Sequence, residues 1–369
     1  MSKKVRKSRV NPAIHDFIVD KVGIHSRDIA NLTAKKFGVT RNTINRYLDR
    51  LVAEGILHSE GQTRARVYRL RYFLDKTESF DVTPATEEHI VFRQYVEPHL
   101  EGASDNAIDI CSYGVYEMVN NVRDHSTSQK CAITVKRNAR RIEVYIRDYG
   151  VGIFKKIANE CKLNDERESI LELAKGKLTT DPAHHTGEGI FFTSRMCREF
   201  EIASGNLAYH HEMSDDNDIL IQTDDLHDSI NGTLVFLEID ANPNYTSVDI
   251  FRQYEEQSDG VGHFQKTHVP VKLALYGNEQ LISRSQARRV LARFNKFTEV
   301  MLDFKDVPRV GPAFVDEIFR VFRRQNPDVK IIPIRMNDEV RETITRAMRN
   351  GDASGEPPDA PTAPAPSSS

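Results

Sequence analysis

Near the start of the chain, apolar residues recur at helical spacing. Ile14, Phe17, Ile18 and Val22 share one face, and Ile29, Leu32 and Phe37 share another. Ser26 is placed to cap the second helix and Gly38 to stop it. A third helix is predicted from Thr40 through Leu51 and Val52, ending before Gly55. The run Arg64–Leu70 then alternates in polarity, as a strand does. Helix, Gly-Val-Thr turn, helix is a helix-turn-helix pattern.

Beyond a polar stretch, Asp75–Thr86, read as a linker, the pattern predicts helices over Glu87–Leu100 and Asp105–Asp124. Cys131–Val135 and Ile142–Ile146 alternate as adjacent strands, and Phe200–Ser204, Leu207–His211 and Thr233–Ile239 follow as further strands. Helices followed by antiparallel strands predict an α/β sandwich with helices on one face. A polar connector near Asn242–Val261 leads to alternating strands (Val271–Tyr276, Glu299–Phe304, Val329–Ile334) and helices (Ser283–Phe294, Ala313–Arg323, Asn337–Met348). That alternation predicts a small parallel or mixed sheet. The chain therefore reads as α+β and multidomain, divided as 1–75, 76–245 and 262–350. Its Pro/Ala/Ser-rich tail, 351–369, is expected to be disordered.

Composition narrows the class. Apolar residues make up 39% and charged residues 28%, ordinary for a globular protein. No apolar run approaches the roughly 20 residues that span a bilayer, and the basic start Met1–Lys7 lacks the apolar segment of a secretory signal. Cys111, Cys131, Cys161 and Cys197 are scattered, which disfavours structural zinc and predicts a cytoplasmic setting with no membrane partner. The net charge of −3 hides an asymmetry: residues 1–76 hold about 17 Lys and Arg against about 7 Asp and Glu. A basic head on an acidic body points to a polyanionic partner at one end.

Within the second helical stretch, Glu117, Asn121 and His125 recur every four residues and form a polar stripe among Val115, Met118, Val119 and Val122. Buried polar groups need partners, so such a stripe asks for a function. Two glycine-punctuated segments follow, Asp148-Tyr-Gly150-Val-Gly152 and Gly187-Glu-Gly189, the second opening a helical pattern at Ile190. Asn231-Gly232-Thr233 starts the last strand.

In this order and spacing, these segments resemble the ATP-binding (Bergerat) fold of the gyrase, Hsp90, histidine-kinase and MutL superfamily. The run Glu117–His125 looks closest to the anti-sigma-factor serine kinases. The resemblance implies ATP and Mg²⁺ as cofactors, Asn121 as the Mg²⁺ ligand and Glu117 as general base. It further implies that Asp148 accepts the adenine amine and that Gly150 and Gly152 let the backbone approach base and ribose. Gly187 and Gly189 would form the lid, with phosphate at the following helix start. Thr233 would contact the adenine pocket and His125 would lie near phosphate. His184 and His185 either touch phosphate or are exposed loop histidines, and Asp215–Asp218 reads as a solvated hairpin tip.

The head resembles a bacterial winged helix-turn-helix. That likeness implies double-stranded DNA as partner, with Arg41, Asn42, Asn45 and Arg46 facing the major groove and Arg64 and Arg66 touching the backbone or minor groove from the wing. The alternative is a small helical domain for protein contacts. Leu302-Asp303-Phe304 and Gly311–Glu317 resemble a STAS-like domain of unknown function, which implies a protein partner. The loop at Gly311, Pro312 and Ala313 has no hydroxyl to phosphorylate. Asp316 and Glu317 are explained equally by function or by charge preference at a helix start.

Three functions are consistent with this reading. The first is an ATP-responsive DNA-binding regulator with slow hydrolysis. The second is a serine/threonine kinase acting on a separate partner protein, and the third a non-catalytic nucleotide-binding scaffold. Both the head and the ATP-binding superfamily suggest a homodimer.

Overall fold

Asn11 accepts the amide of Ala13 at 3.1 Å through its side chain, and Pro12 takes the first helical position, where its missing N–H costs nothing. Helix α1 (Pro12–Lys21) thus begins, and α2 (Ile29–Phe37) and α3 (Arg41–Ala53) follow. Gly38, at φ +65°, closes α2 in the left-handed region, and Thr40 caps α3 by accepting the Thr43 amide at 3.2 Å. Asp28, not Ser26, precedes α2; the Ser26 carbonyl accepts the Tyr68 amide instead. The three helices and an antiparallel hairpin, β1 (Leu57–Glu60) and β2 (Val67–Leu70), bury Ile14, Ile18, Ile29, Ile44, Leu48 and Leu57 together.

The computed structural model describes residues 11–62, 65–178, 187–223, 230–258, 261–275 and 279–352. The contacts divide the chain into two units, residues 1–252 and 253–369. The expected tail from 353 onward, Arg64, His184 and His185 lie outside the described residues.

The first unit continues into a seven-stranded antiparallel sheet. Its strands are β3 (Leu74–Asp81), β4 (Lys130–Arg137), β5 (Arg141–Asp148), β6 (Glu199–Gly205), β7 (Leu207–Glu212), β8 (Asn217–Gln222) and β9 (Ile230–Asp240), in the order β3-β4-β5-β9-β6-β7-β8. The register lines up Ile133, Ile146, Val235, Ile202 and Tyr209 in one row of the buried face. Against it pack α5 (Asp105–Asn121), α6 (Ile153–Glu160) and α8 (Gly189–Met196), while α4 (Glu88–Tyr95) packs on α5 and α7 (Glu168–Lys175) on α6 and α8. Phe251 of α9 (Ser247–Tyr254) closes the aromatic contact with Tyr113 and Phe192.

Asp75–Thr86 is not the linker its polarity suggested, because Leu74–Asp81 is an edge strand paired with β4 from Leu74↔Arg137 to Asp81↔Lys130. An edge strand exposes much of its surface and so carries polar side chains. Its hold on the sheet comes from the ladder, from the Thr77–Thr134 hydroxyl contact at 2.8 Å and from Phe80 stacked on Tyr95.

The expected solvated tip at Asp215–Asp218 also differs. Asp218 is fully buried, and Arg195 of α8 grips it with two hydrogen bonds of 3.2 Å while Tyr209 and His211 complete the cluster. Burial opposes its charge, but Arg195, His211 and Tyr209 outweigh that and hold Asp218 well below the usual carboxylate range.

The second unit holds a hairpin, β10 (Glu255–Ser258) with β11 (Val261–Phe264), and a parallel sheet in the order β12 (Lys266–Pro270), β13 (Glu299–Asp303), β14 (Lys330–Ile334). The crossovers are α10 (Arg284–Leu291) and then α11 (Pro312–Asp316), which runs through a π-helical turn, Glu317–Phe322, into α12 (Arg323–Gln325). Helix α13 (Asp338–Asp352) follows the last strand. The strand expected at Val271–Tyr276 lies one segment earlier, and Val271–Ala274 is a 3-10 turn. Register with β13 runs from Lys266↔Glu299 to Pro270↔Asp303, and Pro270 lacks the N–H that a continuing ladder would use.

Removing one partner of a buried ion pair strands the other charge. Asp218→Ala is therefore expected to cost about 3–5 kcal/mol, read as a fall in the unfolding midpoint. A loss under about 1 kcal/mol would mean that Arg195 finds solvent without it.

Candidate functional site

The site is assembled around the end of α5. Ser104 caps this helix through the Ala107 amide at 3.3 Å, and a long amphipathic run carries it to Asn121. There the helix widens into a π turn, Val122–Ser126, and stops at Thr127, whose φ is 63°. Widened turns of this kind are frequent at functional sites. The turn leaves the Ser126 carbonyl facing the end of β5, where it accepts the Val151 amide at 2.9 Å. Gly150 lies so close that a Cβ would stand 1.8 Å from the Ser126 oxygen, so only glycine permits the approach.

Between these elements lies a cavity of about 420 Å³, within the range of small-molecule sites. Glu117, Asn121, His125, Asp148, Gly152, Gly187, Gly189 and Thr233 all line it. Gly150 does not; its amide donates to Asp148 Oδ1 at 2.8 Å and shapes the turn beneath the site. Val151, Ile153, Ile157, Leu173, Ile202 and Val235 make the rest of the wall largely apolar.

Asp148 is 4% exposed at the last position of β5. Burial pushes its carboxyl up, and the Gly150 amide with the hydroxyl and amide of Thr233 pull it partly back. The Thr233 hydroxyl also accepts the Ile153 amide at 3.2 Å, which fixes the start of α6 against β9. Gly152 precedes α6 at φ +82°, where a Cβ would meet Ser204 Oγ at 2.6 Å. Ser204 Oγ in turn donates to the Gly232 carbonyl at 2.7 Å.

Glu117 is half-buried, and burial raises its carboxyl above the ordinary range, with the negative charges of Glu88 and Glu188 adding to the effect. Gly189 opens α8 directly against it: a Cβ there would stand 2.0 Å from Glu117 Oε2. Gly187 meets Leu178, whose amide donates to the Gly187 carbonyl at 3.1 Å, so the two ends of the segment 179–186 come together at the cavity wall.

Sequence reasoning missed Asn120, Arg123, Lys156, Glu160 and Ser204. The first four line the cavity, and Ser204 props its floor. Arg123 is tied to Glu88 at 3.3 Å and to Asp124 at 2.7 Å, and Lys156 is paired with Glu160 at 2.7 Å. The i, i+3 relation of Glu117 and Asn120 was the available signal, whereas Ser204 is brought in by strand pairing alone. Among the described residues no group of three or more His, Cys, Asp or Glu is placed to hold a metal ion. Asn121 brings to the cavity an amide oxygen of the kind that a hard cation accepts while it keeps most of its waters.

A second group lies on the head. Arg41, Asn42 and Arg46 are exposed on the first turns of α3, and Asn45 is partly so. Arg66, expected to touch DNA from the wing, keeps 34% of its side chain exposed. It bonds Asp49 at 3.0 Å and Ser59 at 3.2 Å and stacks over Tyr68, tying the hairpin to α3.

In the second unit, Asp303 ends β13 and takes hydrogen bonds from His268 of β12 at 3.1 Å and Arg335 after β14 at 2.9 Å, which locks the three strand ends together. Residues 286–341 match the family described as a STAS-like domain of unknown function (DUF4325). The C-terminal unit contains a STAS-like domain. Asp316 and Glu317 of this domain pair with arginines: Asp316 with Arg320 at 2.5 Å and Glu317 with Arg288 at 2.7 Å. No curated protein matches the chain. Among the described residues no helix is long and apolar enough to cross a membrane.

The raised Glu117 carboxyl has a consequence for stability. Between the ordinary carboxylate range and its raised value the folded protein holds a proton that the unfolded chain has lost. Stability therefore falls as pH rises through that window. Glu117→Gln removes the cost and is expected to raise the midpoint at pH 7 by about 1–3 °C, with a smaller difference at pH 4. Equal differences at the two pH values would show that burial of the charge is not the cause.

Proposed function

We propose that the chain is an ATP-responsive, DNA-binding regulator. The observation that carries this reading is the convergence of four separated segments on one cavity. They are the polar stripe of α5, the end of β5, the Gly187–Gly189 segment and Thr233. A gyrase/Hsp90/histidine-kinase/MutL-type ATP site needs those four parts. The residues fit a purine nucleotide with Mg²⁺: a buried carboxylate for an exocyclic amine, apolar walls for a base, and glycines where the backbone must come close.

In this reading Asp148 selects adenine, Thr233 and the Gly150 amide steady Asp148, and Asn121 gives an oxygen to the cation. Held there, a divalent cation would supply charge neutralisation to the phosphates. Glu117 takes a proton from water; its raised pKa moves it toward the range in which a general base works best. Gly187 and Gly189 would form the lid over phosphate, and His125 stands on the same wall.

The head supplies the second half of the proposal, a winged helix-turn-helix that meets double-stranded DNA. Arg41, Asn42, Asn45 and Arg46 offer hydrogen-bond donors from the start of α3. Asp20 of α1 pairs with Arg140 in the β4–β5 turn, and the Phe73 amide donates to the Arg137 carbonyl at 2.9 Å. These contacts give the nucleotide domain a mechanical hold on the head. Nucleotide would then change DNA affinity by favouring one arrangement. The STAS-like domain would carry a protein partner.

Nucleotide binding and turnover test the first half. Wild type is expected to bind Mg-ATP, Asp148→Asn to lose binding by about tenfold or more, and Glu117→Gln to bind but turn over at least about 100-fold more slowly. Wild-type protein that binds no nucleotide would sink the proposal. For DNA, Arg41→Ala and Arg46→Ala are each expected to lower the slope of log affinity against log salt by about 1. Unchanged slopes would move the DNA contact elsewhere.

A further inference from the structure

Asn120 precedes the asparagine that sequence reasoning assigned to the cation, and its side chain helps line the cavity. Its carbonyl oxygen is shut away from solvent, with no hydrogen-bond partner among the described residues. Buried acceptors in native proteins are almost always paired, so an orphan calls for a cause. Packing does not supply one, since a leucine of similar shape would fill the same space without a polar group. Positions that weaken the folded state for no structural gain are characteristic of functional sites.

Two facts say what the group is for. Asn120 stands three residues after Glu117, so both side chains project from one face of α5. The two ends of its amide exchange by a half-turn about χ2, a soft torsion. Resting on the ATP reading above, we propose that this half-turn brings the Asn120 oxygen into the cavity and makes Asn120 a positioning residue that holds the attacking water against Glu117. A water that donates one proton to each of these oxygens has its lone pairs left toward the ligand. As the water oxygen bonds to the terminal phosphorus, the bond from that phosphorus to the bridging oxygen breaks. Its electron pair leaves on ADP, and the water proton passes to Glu117.

The test uses the full chain and the variants Asn120→Leu and Asn120→Asp, with three readouts: unfolding midpoint without nucleotide, Mg-ATP affinity, and turnover. Asn120→Leu is expected to unfold at the wild-type temperature or above it, because a buried unpaired acceptor has gone. It is expected to bind Mg-ATP within about threefold of wild type and to turn over about tenfold or more slowly. Asn120→Asp keeps an acceptor at the same reach and is expected to restore part of the turnover. Its acid limb should shift to higher pH, since a second carboxylate disfavours ionisation of Glu117. A lower midpoint for Asn120→Leu with wild-type turnover would overturn the inference and make Asn120 structural, leaving the ATP reading intact. Wild-type protein that neither binds nor hydrolyses ATP would overturn both.

Discussion

The approach of Gly150 to the Ser126 carbonyl governs the first unit. It joins the end of a helix to the end of a strand at a separation that no side chain tolerates, 1.8 Å for a would-be Cβ. Ser126 is the last residue of the π turn before Thr127 takes the left-handed conformation, so its carbonyl has no helical partner ahead of it and accepts the Val151 amide. Once that junction is made, Glu117 and Asn121 look across the cavity at Asp148. Gly152 can then start α6 with Thr233 at its amides. Every other wall of the cavity is laid against this corner.

The same unit uses charge inside the protein for alignment. Arg195 reaches from α8 to Asp218 on β8, with Tyr209 and His211 of β7 in the cluster, so the helix that opens at Gly189 is tied to the far edge of the sheet. A pair of this kind is costly to bury and directional once formed, which suits a helix whose first residue must stand against Glu117. The STAS-like domain repeats the device on a smaller sheet. There Asp303 gathers His268 and Arg335, and so the ends of all three strands.

Much of the candidate site was legible in the sequence because its requirements are local. Glycines needed for positive φ or close approach, and a polar stripe at helical spacing, must sit at fixed places along the chain. Gly152, Gly187 and Gly189 with Glu117, Asn121 and Asp148 line the same cavity for that reason. What was not legible depends on pairing between distant segments. The polar strand β3 is held by its neighbour's backbone, which leaves no hydrophobic signature. The pairing of Arg66 with Asp49 likewise depends on where α3 lies.

The chain's own pattern therefore set the helices, most strands and the chemical inventory of the site, because helix caps, glycine conformations and hydrophobic periods are properties of short segments. Tertiary structure decided which groups are buried together. It closed Asp218 onto Arg195 and propped Gly152 on Ser204. It also moved the first parallel strand of the second unit to Lys266–Pro270 and left the oxygen of Asn120 without a hydrogen-bond partner among the described residues. Burial and hydrogen-bond partnership depend on what the rest of the chain brings to a point in space, and no window of sequence contains that information.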